Sequence, residues 1–466
     1  MNQASTQDLP TSPARNRDLA LLVAIGAVLV LADLLLSHPL LSVFNKLVAI
    51  AAWLQGGPKP DVVTWPAWGY AWVVVAVPKF EWVVVMQACL GAVVLVALVR
   101  RLRLDMPRQG ALIAILCVLA VPWHDMQVTL YPSGLAGSLV LAGLLSLESA
   151  LRKNQFALAA LAGMLLGLAQ NLRTEFVLLP AFIGICVGAL RHWRIVDISS
   201  LKPLCAFILT AAILQLPWAF FYHAQTGRYS LTESNFGHVM YVSLGSSRKN
   251  PWNISGNDQG AMQAVHDAGY PFSSLSEPGN QVLRRIVWAN VSQHPDAVLQ
   301  RTLQQLLNTI AAPFNWGEPK LDKSGVLDID VLRQELKARI GIGINAAKLR
   351  DYRAQNLYAA ASKDDAAKLA LLYQVVAVGL GSVIFLLGIL GMVLAFARVK
   401  TARVPLLLWF LGCAAVYKVL QDVLLAYQVN YLNNVYPMFL PFVAISLTAF
   451  ADRFGRRIPG PIVEAQ

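Results

Sequence analysis

Long apolar runs alternate with short polar segments over most of the chain. A helix needs roughly 20 apolar residues to cross the hydrocarbon core of a bilayer, so each run predicts a membrane-spanning helix. About ten spans are expected on this measure, near residues 19–37, 82–99, 110–129, 133–151, 156–172, 176–190, 203–222, 371–397, 404–427 and 435–450. The pattern therefore predicts an all-α integral membrane protein.

Two stretches between the runs are too long to be simple turns. The first outer loop, residues 38–81, contains the run from Trp65 to Val77, which is short for a span and favours an interfacial helix. Residues 223–370 mix Gly/Pro/Asn-rich loops with helical patterns at 296–310 and 331–339. This second stretch is long enough to form a small domain of mixed loops and helices.

These runs and stretches divide the chain into five segments. We expect a disordered cytoplasmic tail at 1–18, an N-terminal transmembrane catalytic core at 19–222, an extracytoplasmic domain at 223–370, C-terminal transmembrane helices at 371–450 and a second cytoplasmic tail at 451–466.

Charge supports the membrane interpretation and gives an orientation. Only 14% of residues are charged, the mean hydropathy is +0.54 and the formal net charge is +12, whereas a soluble protein is about 25% charged. Basic residues collect in alternate loops, which is typical of cytoplasmic loops, so both termini are expected in the cytoplasm. The same pattern explains the positive net charge without a nucleic-acid partner. The clusters are Arg15 and Arg17; Arg100, Arg101, Arg103 and Arg108; Arg152 and Lys153; Arg191, Arg194 and Lys202; Arg398, Lys400 and Arg403; and Arg453, Arg456 and Arg457.

The sequence gives little sign of a metal or disulfide site. All five cysteines lie inside apolar stretches and no CxxC pattern occurs, which argues against a disulfide scaffold or a cysteine-ligated metal. Asp328-Ile329-Asp330 matches the DxD pattern of metal-dependent sugar transfer, but no predicted strand precedes it. No metal ligand is therefore assigned.

The first outer loop concentrates chemical groups beside the predicted membrane surface. Lys59 lies among prolines, and Trp65, Trp68 and Tyr70 follow within a few residues. Trp and Tyr rings favour the headgroup level, so these rings are expected to anchor the loop and position a substrate. Lys59 is a candidate phosphate ligand, as a point charge. The alternative is a proline-rich turn with aromatic anchors.

Three carboxylates could act as a general base. Asp33 lies near the outer end of the first predicted span, Asp61 follows Lys59 in the loop, and Asp125 lies at the outer tip of the third span. A carboxylate can take the proton from an attacking hydroxyl. For each of them the alternative is a solvated or paired carboxylate without a catalytic role.

Arg173 and Glu175 follow an apolar helix in which Gly163 and Gly167 are spaced for close packing. Arg173 falls on the outer side, against the positive-inside trend. Its guanidinium suits the oxygens of a phosphate group, and Glu175 could help position a substrate. The alternative is a simple ion pair between the two residues.

Several stretches, taken in their order along the chain, resemble the multi-spanning C-type glycosyltransferases that use a polyprenyl-phosphate sugar. The nearest branch contains bacterial relatives of protein O-mannosyltransferases and of the lipid A aminoarabinose transferase. The similarity covers roughly residues 19–310 and, more loosely, the last spans. The stretches are Lys59-Pro60, Thr64 to Tyr70, Leu161 to Leu168 with Arg173-Thr174-Glu175, Leu216-Pro217-Trp218 with Thr226 to Tyr229, and His294-Pro295.

The resemblance implies an enzyme of the bacterial inner membrane that moves a sugar from a polyprenyl-phosphate donor to a glycan, lipid or protein acceptor. Membrane lipid is then a further partner, and no cofactor is required, although dependence on a divalent metal is left open. The acidic positions that the family places after its first span and near Ser133 are absent here. The base therefore stays open among Asp33, Asp61 and Asp125. Two alternatives are a carrier or flippase for a lipid-linked substrate and an inactive family member that acts as an assembly partner.

Overall fold

The computed structural model describes most, but not all, of the chain. The described residues are 24–31, 45–60, 64, 69–77, 80–128, 131–196, 198, 200–232, 235–246, 250–311, 313–314, 364–397, 404–424 and 432–455. The tail at 1–18, the helical pattern at 331–339 and the end of the second tail lie outside them.

The described residues are helical throughout, with short connections. We number the helices α1 (24–31), α2 (Asn45–Leu54), α3 (Gly69–Ala76), α4 (Phe80–Asp105), α5 (Pro107–Val118), α6 (Val121–Val128), α7 (Pro132–Lys153), α8 (Phe156–Leu172), α9 (Leu179–His192), α10 (Lys202–Ile213), α11 (Leu216–Thr226), α12 (Phe236–Gly245), α13 (Asp258–Asp267), α14 (Glu277–Gln293), α15 (Pro295–Ala311), α16 (Asp364–Ala397), α17 (Leu406–Leu424) and α18 (Tyr436–Gly455). Short 3-10 helices at Thr174–Phe176 and Asn433–Val435 precede α9 and α18.

Seven helical segments in the described part of the chain are long and apolar enough to cross a membrane. They coincide with seven of the expected spans, and α10 and α11 together form one of them. An eighth expected span is divided into α5 and α6, and a ninth, α8, is 17 residues long. Only 24–31 of the first expected span is described. The protein is thus an all-α, multi-pass membrane protein, and the count of ten spans stays a prediction.

The break between α5 and α6 has a local cause. The two helices meet at an angle of 48°, and Pro122 in the first turn of α6 has no N–H to donate to the carbonyl of Val118, four residues earlier. The ring of His124 takes over this role, because its Nε2 lies 3.2 Å from the Val118 oxygen and 2.9 Å from the Cys117 oxygen. Carbonyl oxygens only accept hydrogen bonds, so this nitrogen carries the proton.

Ion pairs tie together the basic end of the helix bundle, where α4 and α7 end. The carboxylate of Glu148 is buried on α7 and accepts from Arg101 at 3.0 and 2.7 Å. Arg152 contacts the same carboxylate and pairs with Asp105 at 2.8 Å. Basic clusters that are far apart in sequence therefore meet at one end of the bundle.

Glycines allow the central helices to approach closely. A Cβ at Gly163 on α8 would collide with the backbone carbonyl of Phe207 on α10, and one at Gly167 would lie 2.7 Å from the Cβ of Leu214. Both glycines therefore act as the close-packing positions that their spacing predicts. The side chain of Asn171 completes this interface by donating to the Leu214 carbonyl at 2.8 Å.

Helices α12 to α15 extend from the end opposite to the basic one. Helices α12, α13 and α14 share a small core of their own, separate from the core of the bundle. The expected helix at 296–310 is present as α15, which packs against α16 and α17. The core that α12, α13 and α14 share consists of Tyr241, Leu244, Ala261, Val265, Val282, Leu283 and Val287.

Candidate functional site

A polar cavity of about 270 Å³ lies where the first outer loop meets α11 and the start of α14. We call it the outer cavity. It is lined by Lys59, Pro60, Thr64, Gln225, Thr226, Ser276, Glu277 and Pro278. Its volume is near the lower limit of small-molecule pockets, roughly 300–1,000 Å³. It can therefore accommodate a headgroup or a single sugar, but not a whole lipid-linked donor.

Glu277 supplies the carboxylate of the outer cavity, and its position is fixed by a helix start. Ser276 caps α14 by accepting a hydrogen bond from the Gly279 N–H, which places Glu277 in the first turn, where a negative charge is favoured. Its oxygens accept hydrogen bonds from Tyr222, from Asn280 at 3.2 Å and from Gln281 at 2.7 Å. The carboxylate is therefore held in one orientation, with acceptor capacity left for a ligand hydroxyl.

Lys59 reaches the outer cavity from a glycine turn that ends α2. Gly56 has φ +95°, a conformation that glycine adopts without strain, and the N–H groups of Gly56 and Gly57 bond back to Trp53 and Ala52 at 2.9 Å each. The side chain of Lys59 is exposed. Among the described residues that line it, the cavity therefore combines the exposed cation of Lys59 with the fixed carboxylate of Glu277, and adds hydroxyl and amide groups that can bind sugar hydroxyls.

A second group of charges lies deeper in the bundle, where α8 ends. Arg173 donates to Glu175 at 2.8 Å and to the Tyr131 hydroxyl at 2.6 Å. Lys418 on α17 lies 3.2 Å from Glu175, and Asn434 donates to the other Glu175 oxygen at 2.7 Å. We call Arg173, Glu175, Lys418 and Asn434 the charged cluster.

The charged cluster has one more cation than carboxylate, and Asp422 on α17 supplies a second carboxylate nearby. Lys418 and Glu175 are buried or nearly so, and Asp422 follows Lys418 by one helical turn. Two cations therefore face two carboxylates. The Glu175 carbonyl also accepts from Tyr417 at 2.7 Å and from Gln421 at 3.1 Å, so the cluster joins the turn before α9 to α17.

The outer cavity and the charged cluster lie at different levels of the same end of the bundle. Asn171, two residues before Arg173, donates a hydrogen bond to the Leu214 carbonyl, so Leu214 lies at the same depth in the bundle as the start of the cluster. Helix α11 begins just after Leu214 and runs for 11 residues, or about 16 Å at the helical rise. Thr226 and the cavity lie at the far end of α11. Of the two cations expected at the lipid phosphate, Lys59 lines the outer cavity and Arg173 does not.

Of the remaining site residues that the sequence predicts, four lie outside the described residues and two are buried. Asp33, Asp61, Trp65 and Trp68 lie outside the described residues. Asp125 is buried within α6, beside the break in the helix, and is not part of the outer cavity.

Tyr70 is also buried, and its hydroxyl donates to Gln87 on α4 at 2.6 Å. Burial raises the pKa of Tyr70 above its ordinary value. Its ring anchors α3 to α4, and a role in positioning a substrate stays a prediction.

Sequence reasoning missed Glu277, Tyr222, Lys418 and Asp422. Lys418 and Asp422 lie within an expected span, and the cost of burying a charge there is itself a functional signal. Ser276 before Glu277 is a helix N-cap signal. Nothing in the sequence indicates that Glu277 and Lys59 share a cavity.

Comparison with known proteins adds no family to this picture. No family model, curated protein or solved structure matches the chain. Among the described residues, no three His, Cys, Asp or Glu side chains are grouped so that they could hold a metal ion.

Proposed function

We propose that the protein is a membrane glycosyltransferase that moves a sugar from a polyprenyl-phosphate donor to a glycan, lipid or protein acceptor. The observation that carries the proposal is the presence of Lys59 and Glu277 in one cavity. Transfer from a sugar phosphate needs a cation at the leaving group and a base at the attacking group. The resemblance of the motifs around Lys59 to C-type glycosyltransferases points to the same class.

In the proposed reaction, the acceptor hydroxyl forms a bond to the anomeric carbon while the bond from that carbon to the phosphate oxygen breaks. The hydroxyl proton passes to a carboxylate, and the electron pair of the broken bond stays on the departing lipid phosphate. Lys59 stabilises the phosphate. Glu277 joins Asp61 and Asp33 as a candidate base, and Thr226 and Gln225, which line the same cavity, are candidates to bind sugar hydroxyls.

The reaction is proposed for the periplasmic face of a bacterial inner membrane. Basic residues collect at the opposite end of the bundle from the outer cavity, and the positive-inside rule assigns that basic end to the cytoplasm. Both termini would then be cytoplasmic, and α12 to α15 would form part of an extracytoplasmic domain.

Transfer of a labelled sugar from a polyprenyl-phosphate donor, measured on the purified protein in detergent, tests the proposal. We expect Lys59→Gln and Glu277→Gln each to lower turnover by about 10²-fold or more, since removing one transition-state charge partner typically has this effect. Asp61→Asn and Asp33→Asn identify which further carboxylate takes part.

Two exposed positions outside the cavity provide matched controls. Lys153→Gln and Asp267→Asn make the same chemical changes away from the outer cavity and should leave turnover unchanged. Full activity of Lys59→Gln and Glu277→Gln would refute the proposed site. Absence of transfer by the wild-type protein with every donor and acceptor class would refute the enzyme and favour an assembly partner.

A carrier or flippase for a lipid-linked substrate is the second candidate, and the break between α5 and α6 favours it. Broken helices beside buried charged groups are typical of transporters, and Asp125 lies next to this 48° bend. In sealed vesicles, a carrier would move the intact lipid-linked sugar across the membrane without an acceptor. A transferase would instead release polyprenyl phosphate only when the acceptor is present.

A further inference from the structure

Helix α15 is amphipathic, but it buries a polar stripe against the protein and exposes its leucines. Ala297, Arg301, Gln305 and Thr309 recur every fourth residue and are all buried. Arg301 is only 2% exposed. A helix on the surface of a soluble domain normally buries its apolar stripe instead.

The buried face is matched by polar partners on two other helices. Arg301 donates to the Ser243 hydroxyl of α12 at 3.1 and 2.5 Å and to the Leu424 carbonyl at the end of α17 at 3.1 Å. Gln305 donates to the same hydroxyl at 2.7 Å, and Thr309 donates to Asp422 at 2.9 Å. These bonds fix the rotation of α15 about its axis, because turning it over would leave a buried cation without acceptors.

The opposite face presents four leucines outwards, and Asp296 and Gln300 are exposed on the same side near the start of the helix. Leu299, Leu303, Leu306 and Leu307 are 63%, 52%, 38% and 65% exposed. Their spacing of i, i+4, i+7 and i+8 places them on one side of the helix. We call them the leucine stripe.

The position of α15 indicates what covers this stripe. The helix packs on α16 and α17, which expose apolar side chains of their own, including Leu386 and Leu420. Its polar contacts reach the last turn of α17, and Phe314, three residues beyond α15, packs against Tyr436 inside the bundle core at a ring distance of 4.6 Å. The leucine stripe therefore lies on a helix that packs directly against two spans at their outer ends.

We propose that the leucine stripe is a membrane-contact surface, covered by the acyl chains of the outer half of the bilayer. The buried polar face of α15 faces protein, and its apolar face continues the lipid-facing surface of α16 and α17. In water the same arrangement would expose an apolar patch next to the spans. Within the bilayer it places α15 as an interfacial helix that holds α12 to α14 against the membrane.

Spin labelling in phosphatidylcholine/phosphatidylglycerol vesicles tests this surface. A nitroxide is attached to Leu303→Cys in the full-length protein, whose five native cysteines are replaced by alanine. Its collision rates with oxygen, which enriches in lipid, and with a water-soluble nickel chelate are then measured. Ile185→Cys on the exposed face of α9 and Gln263→Cys on the exposed face of α13 serve as lipid and water references.

We expect the oxygen-to-nickel accessibility ratio at Leu303 to match that at Ile185 and to exceed that at Gln263. A ratio equal to that at Gln263 would overturn the proposal in favour of a water-exposed face. Low accessibility to both reagents would overturn it in favour of a protein cover, either a second copy or another part of this chain. Labelling at Leu307→Cys repeats the measurement if the Leu303 variant does not fold.

Discussion

At the scale of single residues, Glu175 is a carboxylate that is largely buried among charged and polar partners. Its carboxylate lies between Arg173 and Lys418 and also accepts from Asn434. Each charged side chain in such a buried group is stabilised by its partners, because a buried charge without a partner carries an uncompensated cost of desolvation. The contacts of the charged cluster connect the turn between α8 and α9 to α17 and to the turn before α18.

Replacing Glu175 by glutamine should destabilise the protein strongly. The change leaves two neighbouring cations without their shared carboxylate, and breaking a buried pair in this way costs about 3–5 kcal/mol. The double variant Glu175→Gln with Lys418→Met removes one of those cations and should recover part of the loss. Unfolding of the purified protein in detergent measures both effects.

The exposed variant Asp267→Asn is the control for this comparison and should unfold as the wild-type protein does. If Glu175→Gln unfolds at the same point as that control, the charged cluster is not the structural link that its geometry indicates. If the double variant is less stable than the single one, the repulsion between Arg173 and Lys418 is not the main cost.

At the scale of helices, glycine spacing and hydropathy had predictive value for different reasons. Hydropathy located seven spans in the described part of the chain, because each must match the thickness of the bilayer. The expected 82–99 and 133–151, for example, lie within Trp82–Asp105 and Pro132–Lys153. The spacing of Gly163 and Gly167 indicated a close helix contact because only small residues allow such an approach, and the structure shows that the partner is α10.

The same reasoning could not reveal the break at α5 and α6 or the outer cavity. The two halves pass as one span by hydropathy, so only Pro122, which cannot donate a backbone hydrogen bond, signals the break locally. Lys59 and Glu277 are far apart in sequence and line the same cavity only because the first outer loop, the end of α11 and the start of α14 come together. Such contacts depend on tertiary structure, which local patterns do not encode.

Substitution of two helical glycines by alanine should have opposite effects on stability. Gly163→Ala forces a methyl group against the Phe207 carbonyl and should cost about 1–3 kcal/mol through overpacking. Gly188→Ala on α9 meets no atom within 4 Å and should stabilise its helix by roughly 0.5–1 kcal/mol. Thermal unfolding in detergent compares the two with the wild-type protein. Equal effects of both changes would contradict close packing at Gly163.

At the scale of the whole molecule, the two ends of the bundle differ in chemistry. The basic end is held by Glu148 with Arg101 and Arg152, whereas the other end carries the outer cavity and the helical unit α12 to α15. A sugar bound to a lipid carrier has to meet the cavity on the side of the membrane where the carrier displays it. The proposed function therefore depends on which compartment each end faces.

Cysteine accessibility in bacterial cells, measured before and after the inner membrane is permeabilised, tests this orientation. In a chain whose native cysteines are replaced by alanine, Gln263→Cys on α13 should react with a membrane-impermeant maleimide once the outer membrane is opened. Lys153→Cys at the basic end should react only after the inner membrane is permeabilised, because Lys and Arg clusters are retained in the cytoplasm. Both positions are exposed, so a difference in labelling reports the compartment and not burial. Labelling of Lys153→Cys alone in intact spheroplasts would reverse the orientation, place the outer cavity in the cytoplasm and remove the periplasmic transferase proposal.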